Sequence, residues 1–167
     1  MASPRFRETG RFVRRTAPTK IYTPANLADL MRCLDPASNA PVPIRIRGAG
    51  TAATDCNANS VGTLVDMTGL DRIIHIDAYN HTVKVEAGVR LGTLVGALAD
   101  QGLELIGNHD QMERTVGGAI ASPCIGACIG GQAAYLSTQV ISLKVITATG
   151  QVMKVSEQQK HLLNAFR

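Results

Sequence analysis

The chain of 167 residues contains no Trp, and Phe and Tyr contribute only three residues each. Its core must therefore rest on Val, Ile, Leu and Ala. No apolar run is long enough to span a bilayer, and none follows the basic start as the h-region of a secretory signal would. The expectation is a cytoplasmic protein without a membrane partner. The four cysteines, Cys33, Cys56, Cys124 and Cys128, do not have the spacing of a zinc site, and the four histidines are scattered among them. A chain of this length can bury a sizeable core without a disulfide framework, so reduced, packed thiols are expected and no metal. Acidic residues are scarce at the N-terminus. Arg5, Arg7, Arg11, Arg14, Arg15 and Lys20 crowd the first twenty positions against Glu8 alone. We read residues 1–19 as a solvated basic arm. No Lys/Arg stripe with interleaved aromatics follows it, which leaves nucleic acid with little support. A transit peptide shares the Arg-rich start, but the amphipathic period is missing.

Glycine, in contrast, is plentiful and clustered. The run Ile44-Arg45-Ile46-Arg47 is β-branched and enters Gly48-Ala49-Gly50-Thr51-Ala52-Ala53. Small residues let backbone N–H groups approach a phosphate closely, because no large side chain intervenes. A second small-residue segment, Thr115-Val116-Gly117-Gly118-Ala119-Ile120-Ala121-Ser122, lies far along the chain. Two such loops imply a ligand with an extended phosphate.

The coarse pattern mixes helices and strands. Thr23-Pro24 reads as the start of a helix with Leu27, Leu30, Met31 and Leu34 on one stripe, ended by Asp35-Pro36. Strands are expected over 43–47, 63–67, 73–77 and 82–87, the last two joined as a hairpin by the turn at 78–81. Leu91, Leu94, Val95 and Leu98 recur at helical spacing, and Gln101-Gly102 closes that helix. Residues 107–114 read as loop, and 117–122 as a short helix. A strand over 140–147 turns at Ala148-Thr149-Gly150 into 152–155, and Ser156-Glu157 opens a last helix. The hairpins give an α+β class with a partly antiparallel sheet.

Gly48-Ala49-Gly50-Thr51-Ala52-Ala53 also matches the dinucleotide fingerprint G-x-G-x-x-A. That fingerprint needs a helix straight after the loop, to face the pyrophosphate with its N-terminus. Here Thr54 to Gly62 is turn chemistry without an apolar stripe. The ordinary Rossmann reading is rejected, although Asp66 sits at a tempting distance for a ribose ligand. The bland alternative is a tight turn between strands.

The order of features resembles the flavin-binding, PCMH-type domain of the vanillyl-alcohol oxidase and cytokinin dehydrogenase superfamily. The segments that carry the likeness are IRIRGAGTAATD, LVDMTGLDRIIHIDAYNHTVKVEAGVRLGTLVGALADQGLEL, RTVGGAIASPCIGACIGGQAAYLSTQVISLKVITATGQVMKVS and HLLNAFR, from near Lys20 to the end. The resemblance implies FAD as cofactor and two small α/β subdomains, one with a short parallel sheet and one with a larger, mainly antiparallel sheet. It places Gly48, Ala49, Gly50, Thr51 and Ala52 around the pyrophosphate, flanked by Ile46 and Arg47. It places Asp110, Thr115, Gly117, Gly118, Ala121 and Ile125 on further cofactor-contacting positions, with Thr115 offering a hydroxyl and Ile125 an apolar surface.

Departures matter as well. Many relatives carry His after the second Gly of the first loop and bond the flavin through it; this chain has Thr51, followed by Ala52 where Ser is usual. Doubly linked relatives carry Cys where Glu113 stands here. A non-covalent flavin is therefore expected, and Cys124, near the flavin in this correspondence, is read as packed. In the family a further Gly segment, a strand and a substrate-binding domain follow the helix that resembles HLLNAFR. The chain therefore looks like residues 20–167 of an FAD-binding domain incomplete at its C-terminus.

The implied function is the FAD-binding portion of a flavin-dependent oxidase or dehydrogenase. A small-molecule substrate would bind through the domain that is lacking. The catalytic residues are unknown; of His75, His81, His109 and His161, only His109 lies near the second loop. Two other functions stay open: a non-catalytic interaction module that docks a partner through its exposed edge and basic arm, and a flavin-dependent sugar-nucleotide reductase that draws on NADPH.

Overall fold

A computed structural model describes residues 18–35, 38–52, 59–109, 111–122, 124, 126–127 and 135–167. The basic arm at 1–17 lies outside the described residues.

Three parallel strands form the first sheet. β1 (Lys20–Tyr22) and β2 (Ile44–Arg47) flank β3 (Thr63–Asp66), in the order β1-β3-β2. Parallel strands need crossover connections, and α1 (Leu27–Leu34) lies in the one that carries the chain from β1 across to β2 on the far side of β3. Thr63, Leu64 and Val65 of the central strand are fully buried. That burial accounts for an apolar run in place of strict alternation. Leu30 and Cys33 of α1 pack with Val65 and Leu70 beneath the sheet. All three strands point their C-terminal ends the same way, and the Gly48–Gly50 loop leaves from that end of β2. Open α/β sheets bind ligands outside the carboxyl ends of their strands.

α1 begins later than the sequence suggests. Its N-cap is Asn26, whose Oδ1 accepts the Asp29 N–H at 2.9 Å, while the Asp29 carboxylate accepts the Ala25 N–H at 3.2 Å. This reciprocal pair satisfies two donors and outcompetes a start at Thr23-Pro24. The buried stripe is Leu30 and Cys33, whereas Leu27 and Met31 remain more than a third exposed.

β3 stops at Asp66 because that carboxylate accepts both the N–H (3.0 Å) and the hydroxyl (2.6 Å) of Thr68. The chain turns there into a short 3-10 helix, Met67–Gly69. The hairpin of β4 (Ile73–Asp77) and β5 (Thr82–Val85) follows. β5 ends at Val85, short of Ala87, although two further amides bond back in the same register. Glu86 N–H donates to Arg72 O and Gly88 N–H to Leu70 O.

Helix α2 (Leu91–Ala99) buries Leu91, Leu94 and Leu98 against Val89, Val116, Ala119, Cys124 and Leu136. Gly102 at φ +70 closes it, and Leu103 N–H reaches back to Leu98 O. The stretch read as loop contains β6 (Asn108–His109), paired antiparallel with β7 (Gly126–Ala127). α3 (Val116–Ala121) lies between them. β8 (Ser142–Ile146) and β9 (Val152–Ser156) form the last hairpin, turned at Gly150. A 3-10 turn at Glu157–Gln159 comes first, so α4 starts only at Lys160 and runs to Phe166. Among the described residues the antiparallel part is three separate two-stranded ladders. Cys33 and Cys124 are buried; Cys56 and Cys128 lie outside the described residues.

Glu86 ties together the two open ends of the β4–β5 hairpin. Its carboxylate accepts Arg72 Nη2 at 2.7 Å, Arg72 Nε at 3.2 Å and the Arg72 N–H at 2.9 Å. These bonds, with the Arg72 side chain foremost, hold the Glu86 carboxyl below its ordinary range. A carboxyl lowered on folding stabilises the fold above its unfolded pKa of about 4.3, and that share is lost as pH falls through the folded value. The Glu86→Gln variant is therefore expected to lose less thermal stability than the parent between about pH 5 and pH 3. Melting curves across that range check it; parallel slopes for the two proteins would refute it.

Candidate functional site

The first loop begins where β2 runs out of partners. Asn59 fixes the strand's approach: its Nδ2 donates to Thr63 O at 2.9 Å and to Pro43 O at 3.2 Å. Ile46 is half exposed, and its neighbour Arg47 turns inward and is 8% exposed. The Arg47 guanidinium lies under its own loop. A Cβ placed on Gly50 would come within 2.9 Å of Arg47 Cζ. Gly50 also sits at φ +73, in the left-handed region that a side chain disfavours. A cation is thus buried directly beneath a glycine turn.

The loop's own amides are not spent on any of the described residues. Among the described residues, no acceptor is hydrogen-bonded to the N–H groups of Ala49, Gly50, Thr51 or Ala52. Ala49, Thr51 and Ala52 are only half buried. Backbone donors that the fold does not satisfy call for an outside acceptor. Successive free N–H groups in a turn over a buried cation form an anion-binding concavity.

The second loop is built the opposite way. Thr115 caps α3 with its Oγ1, which accepts the Gly118 N–H at 3.2 Å, and the residue is 1% exposed. Val116 N–H donates to Val89 O and Gly117 N–H to Ala87 O, both at 2.8 Å, and Ala119 N–H donates to Thr115 O. These amides are spent inside the fold. The segment offers a wall of small residues in place of donors.

The two loops meet. A methyl on Gly48 would overlap Thr115 Oγ1 and lie 3.4 Å from Thr115 Cβ. No side chain separates the donor-rich turn from the wall. Gly117 and Gly118 are half buried and Ala121 is exposed. Asp110 and Ile125 lie outside the described residues. Of the histidines, His75 is exposed on β4, His81 is exposed in the hairpin turn at φ +52, and His161 is exposed on α4. His109 belongs to β6. Among the described residues no cluster of His, Cys, Asp or Glu could hold a metal ion.

Sequence reasoning missed the segment that carries the second loop. Ala87, Val89 and Arg90 hold it through backbone bonds and an antiparallel bridge from Arg90 to Thr115. Ala87 is packed so closely that a Cβ on Gly117 would sit 2.9 Å from its methyl. The break of strand alternation at Ala87-Gly88 was the available signal.

Comparison with known proteins places the chain in a family. Residues 18–156 match the family described as FAD binding domain. The chain belongs to that family. Its cofactor is FAD, and its fold is the PCMH-type FAD-binding fold that the sequence resembles. L-gulono-1,4-lactone dehydrogenase of Mycobacterium tuberculosis is 33% identical over 146 residues, covering 87% of this chain and 33% of that protein. The mitochondrial L-galactono-1,4-lactone dehydrogenase of Arabidopsis thaliana is 29% identical over 136 residues, 81% of this chain and 22% of its own length. Among solved structures, 6-hydroxy-D-nicotine oxidase of Arthrobacter nicotinovorans superposes with a TM-score of 0.80 at 22% identity, over 95% of this chain and 34% of that one. A BBE-like 1 variant of Physcomitrella patens gives 0.79 at 26% identity, over 93% and 34%. The chain thus spans about a third of the length of the first of these relatives.

The residues present fit FAD. A diphosphate needs donors at close quarters, and the first loop has amides with no acceptor among the described residues, no bulky side chain and a buried guanidinium beneath it.

Proposed function

We propose that this chain is the cofactor-holding portion of a flavin-dependent oxidoreductase, an oxidase or dehydrogenase, with FAD held non-covalently. The observation that carries the reading is the pairing of free amides at Ala49–Ala52 with the closed wall at Thr115–Gly118. When bound, FAD supplies the redox chemistry, taking up a hydride equivalent from a substrate and passing electrons to an acceptor. The protein's part is to bind and orient. Ala49 to Ala52 donate to the diphosphate, Arg47 offsets its charge from below, and Thr115 sets how near the second loop stands. A small-molecule substrate binds through a region beyond this chain; the greater length of the relatives supports that division.

Three residues support a flavin without a tether. Thr51 and Ala52 bring no imidazole or thiol to the first loop, and Cys124 is 4% exposed within the apolar core. Acid precipitation separates the alternatives. The purified chain, saturated with FAD and washed, is expected to show the two bands of oxidised flavin. All of that colour is expected to pass into the supernatant when the protein is precipitated. Colour retained in the pellet would overturn the non-covalent reading. A colourless protein that ignores added FAD would overturn the cofactor role and favour an interaction module.

A further inference from the structure

Arg90 stands at the mouth of α2 and does more than start the helix. Its Nη1 donates to the Glu113 carbonyl oxygen at 2.8 Å and to Glu113 Oε2 at 2.9 Å. Its backbone bridges to Thr115, the residue against Gly48. On either side, Leu91 N–H donates to Arg114 O and Gly92 N–H to Met112 O. One guanidinium thus holds both the main chain and the side chain of the residue two places before the wall.

Glu113 is an awkward neighbour for a diphosphate. Two residues of chain span at most about 7 Å, so Glu113 stands within the screening length of about 8 Å of Thr115, the residue against Gly48. Its carboxylate is 80% exposed, so only a partner restrains where its charge goes. We propose that Arg90 is a positioning residue that pins the Glu113 carboxylate to itself and so cancels its charge beside the cofactor site. The inference rests on the FAD reading. It assigns Arg90 no contact with the cofactor.

The backbone bonds around it would hold the 112–117 segment in place even without Arg90, so its loss is expected to act on the anion and not on the fold. The test uses the 167-residue chain and titrations with FAD at low and high salt. Arg90→Ala is expected to weaken FAD binding about twofold to fivefold at low salt. The loss should shrink at high salt, because exposed charges are screened. Adding Glu113→Gln to Arg90→Ala is expected to restore the affinity, and the melting temperature without FAD should stay near the parent's. Equal affinity of Arg90→Ala and the parent would overturn the proposal. So would a double variant as weak as Arg90→Ala, which would assign the effect to the lost carbonyl bond. Failure of the parent itself to bind FAD would strike the cofactor reading first and is scored separately.

Discussion

Replacing Gly88 with alanine is expected to cost this protein a large share of its stability. The new methyl would overlap Met67 O and stand 2.6 Å from Leu70 O. Both obstacles are backbone atoms at the end of β3, and neither can swing aside as a flexible side chain would. Gly88 N–H is already bonded to Leu70 O at 2.8 Å, so the segment cannot back away without breaking that bond. Overpacking of this kind costs about 3 kcal/mol or more. Against a total stability of about 5–15 kcal/mol that is a large share. The midpoint of thermal unfolding should drop by about 10 °C, since each kcal/mol is worth about 2–4 °C at this size. Gly96 provides the control. It lies in α2, and a methyl added there would meet no atom of the described residues within 4 Å. Gly96→Ala is therefore expected to stabilise by about 0.5–1 kcal/mol through helix propensity. Equal melting temperatures for Gly88→Ala and the parent would show that the junction between β3 and the second hairpin is looser than these contacts require.

Gly48→Val is expected to abolish FAD binding while the chain still folds. The added side chain must occupy the space of Thr115 Oγ1, which is 1% exposed and has nowhere to retreat. The loop itself has the freedom to yield, because its amides from Ala49 to Ala52 are bonded to nothing among the described residues. Movement of the loop takes those donors away from the diphosphate. Each hydrogen bond to a charged group is worth about 1.5–3 kcal/mol. Loss of two weakens binding by more than about a hundredfold. Fluorescence titration with FAD measures it, and a melting curve without FAD confirms that the variant is folded. Retained affinity would remove the first loop from the site.

Much of this arrangement was legible in the sequence. The β-branched run Ile44–Arg47 before three small residues announced a strand and a tight turn. The α2 stripe of Leu91, Leu94 and Leu98 marked a core face, and all three are buried. What stayed hidden depends on contacts between distant parts of the chain. No local pattern says that Gly48 meets Thr115. Nor does it say that the second loop's amides are consumed by Ala87 and Val89, so that one loop donates and the other only walls the site. Side-chain competition also moved boundaries. Asn26 took the N-cap from Thr23, and Asp66 ended β3 by capping Thr68. In each case a short polar side chain satisfied a backbone donor that a hydropathy pattern does not register.

The meeting of the two loops can be tested by a mutant cycle in FAD affinity on Gly48→Ala, Thr115→Ala and the double variant. Gly48→Ala alone drives a methyl into Thr115 Oγ1; with that oxygen removed, the nearest remaining atom is Cβ at 3.4 Å, an ordinary contact. Thr115→Ala carries its own cost of about 1 kcal/mol from the lost α3 cap. The double variant is therefore predicted to bind FAD more tightly than the sum of the single losses allows, by about 1 kcal/mol or more of coupling. Additive losses, or a double variant weaker than their sum, would show that Gly48 and Thr115 do not stand against each other.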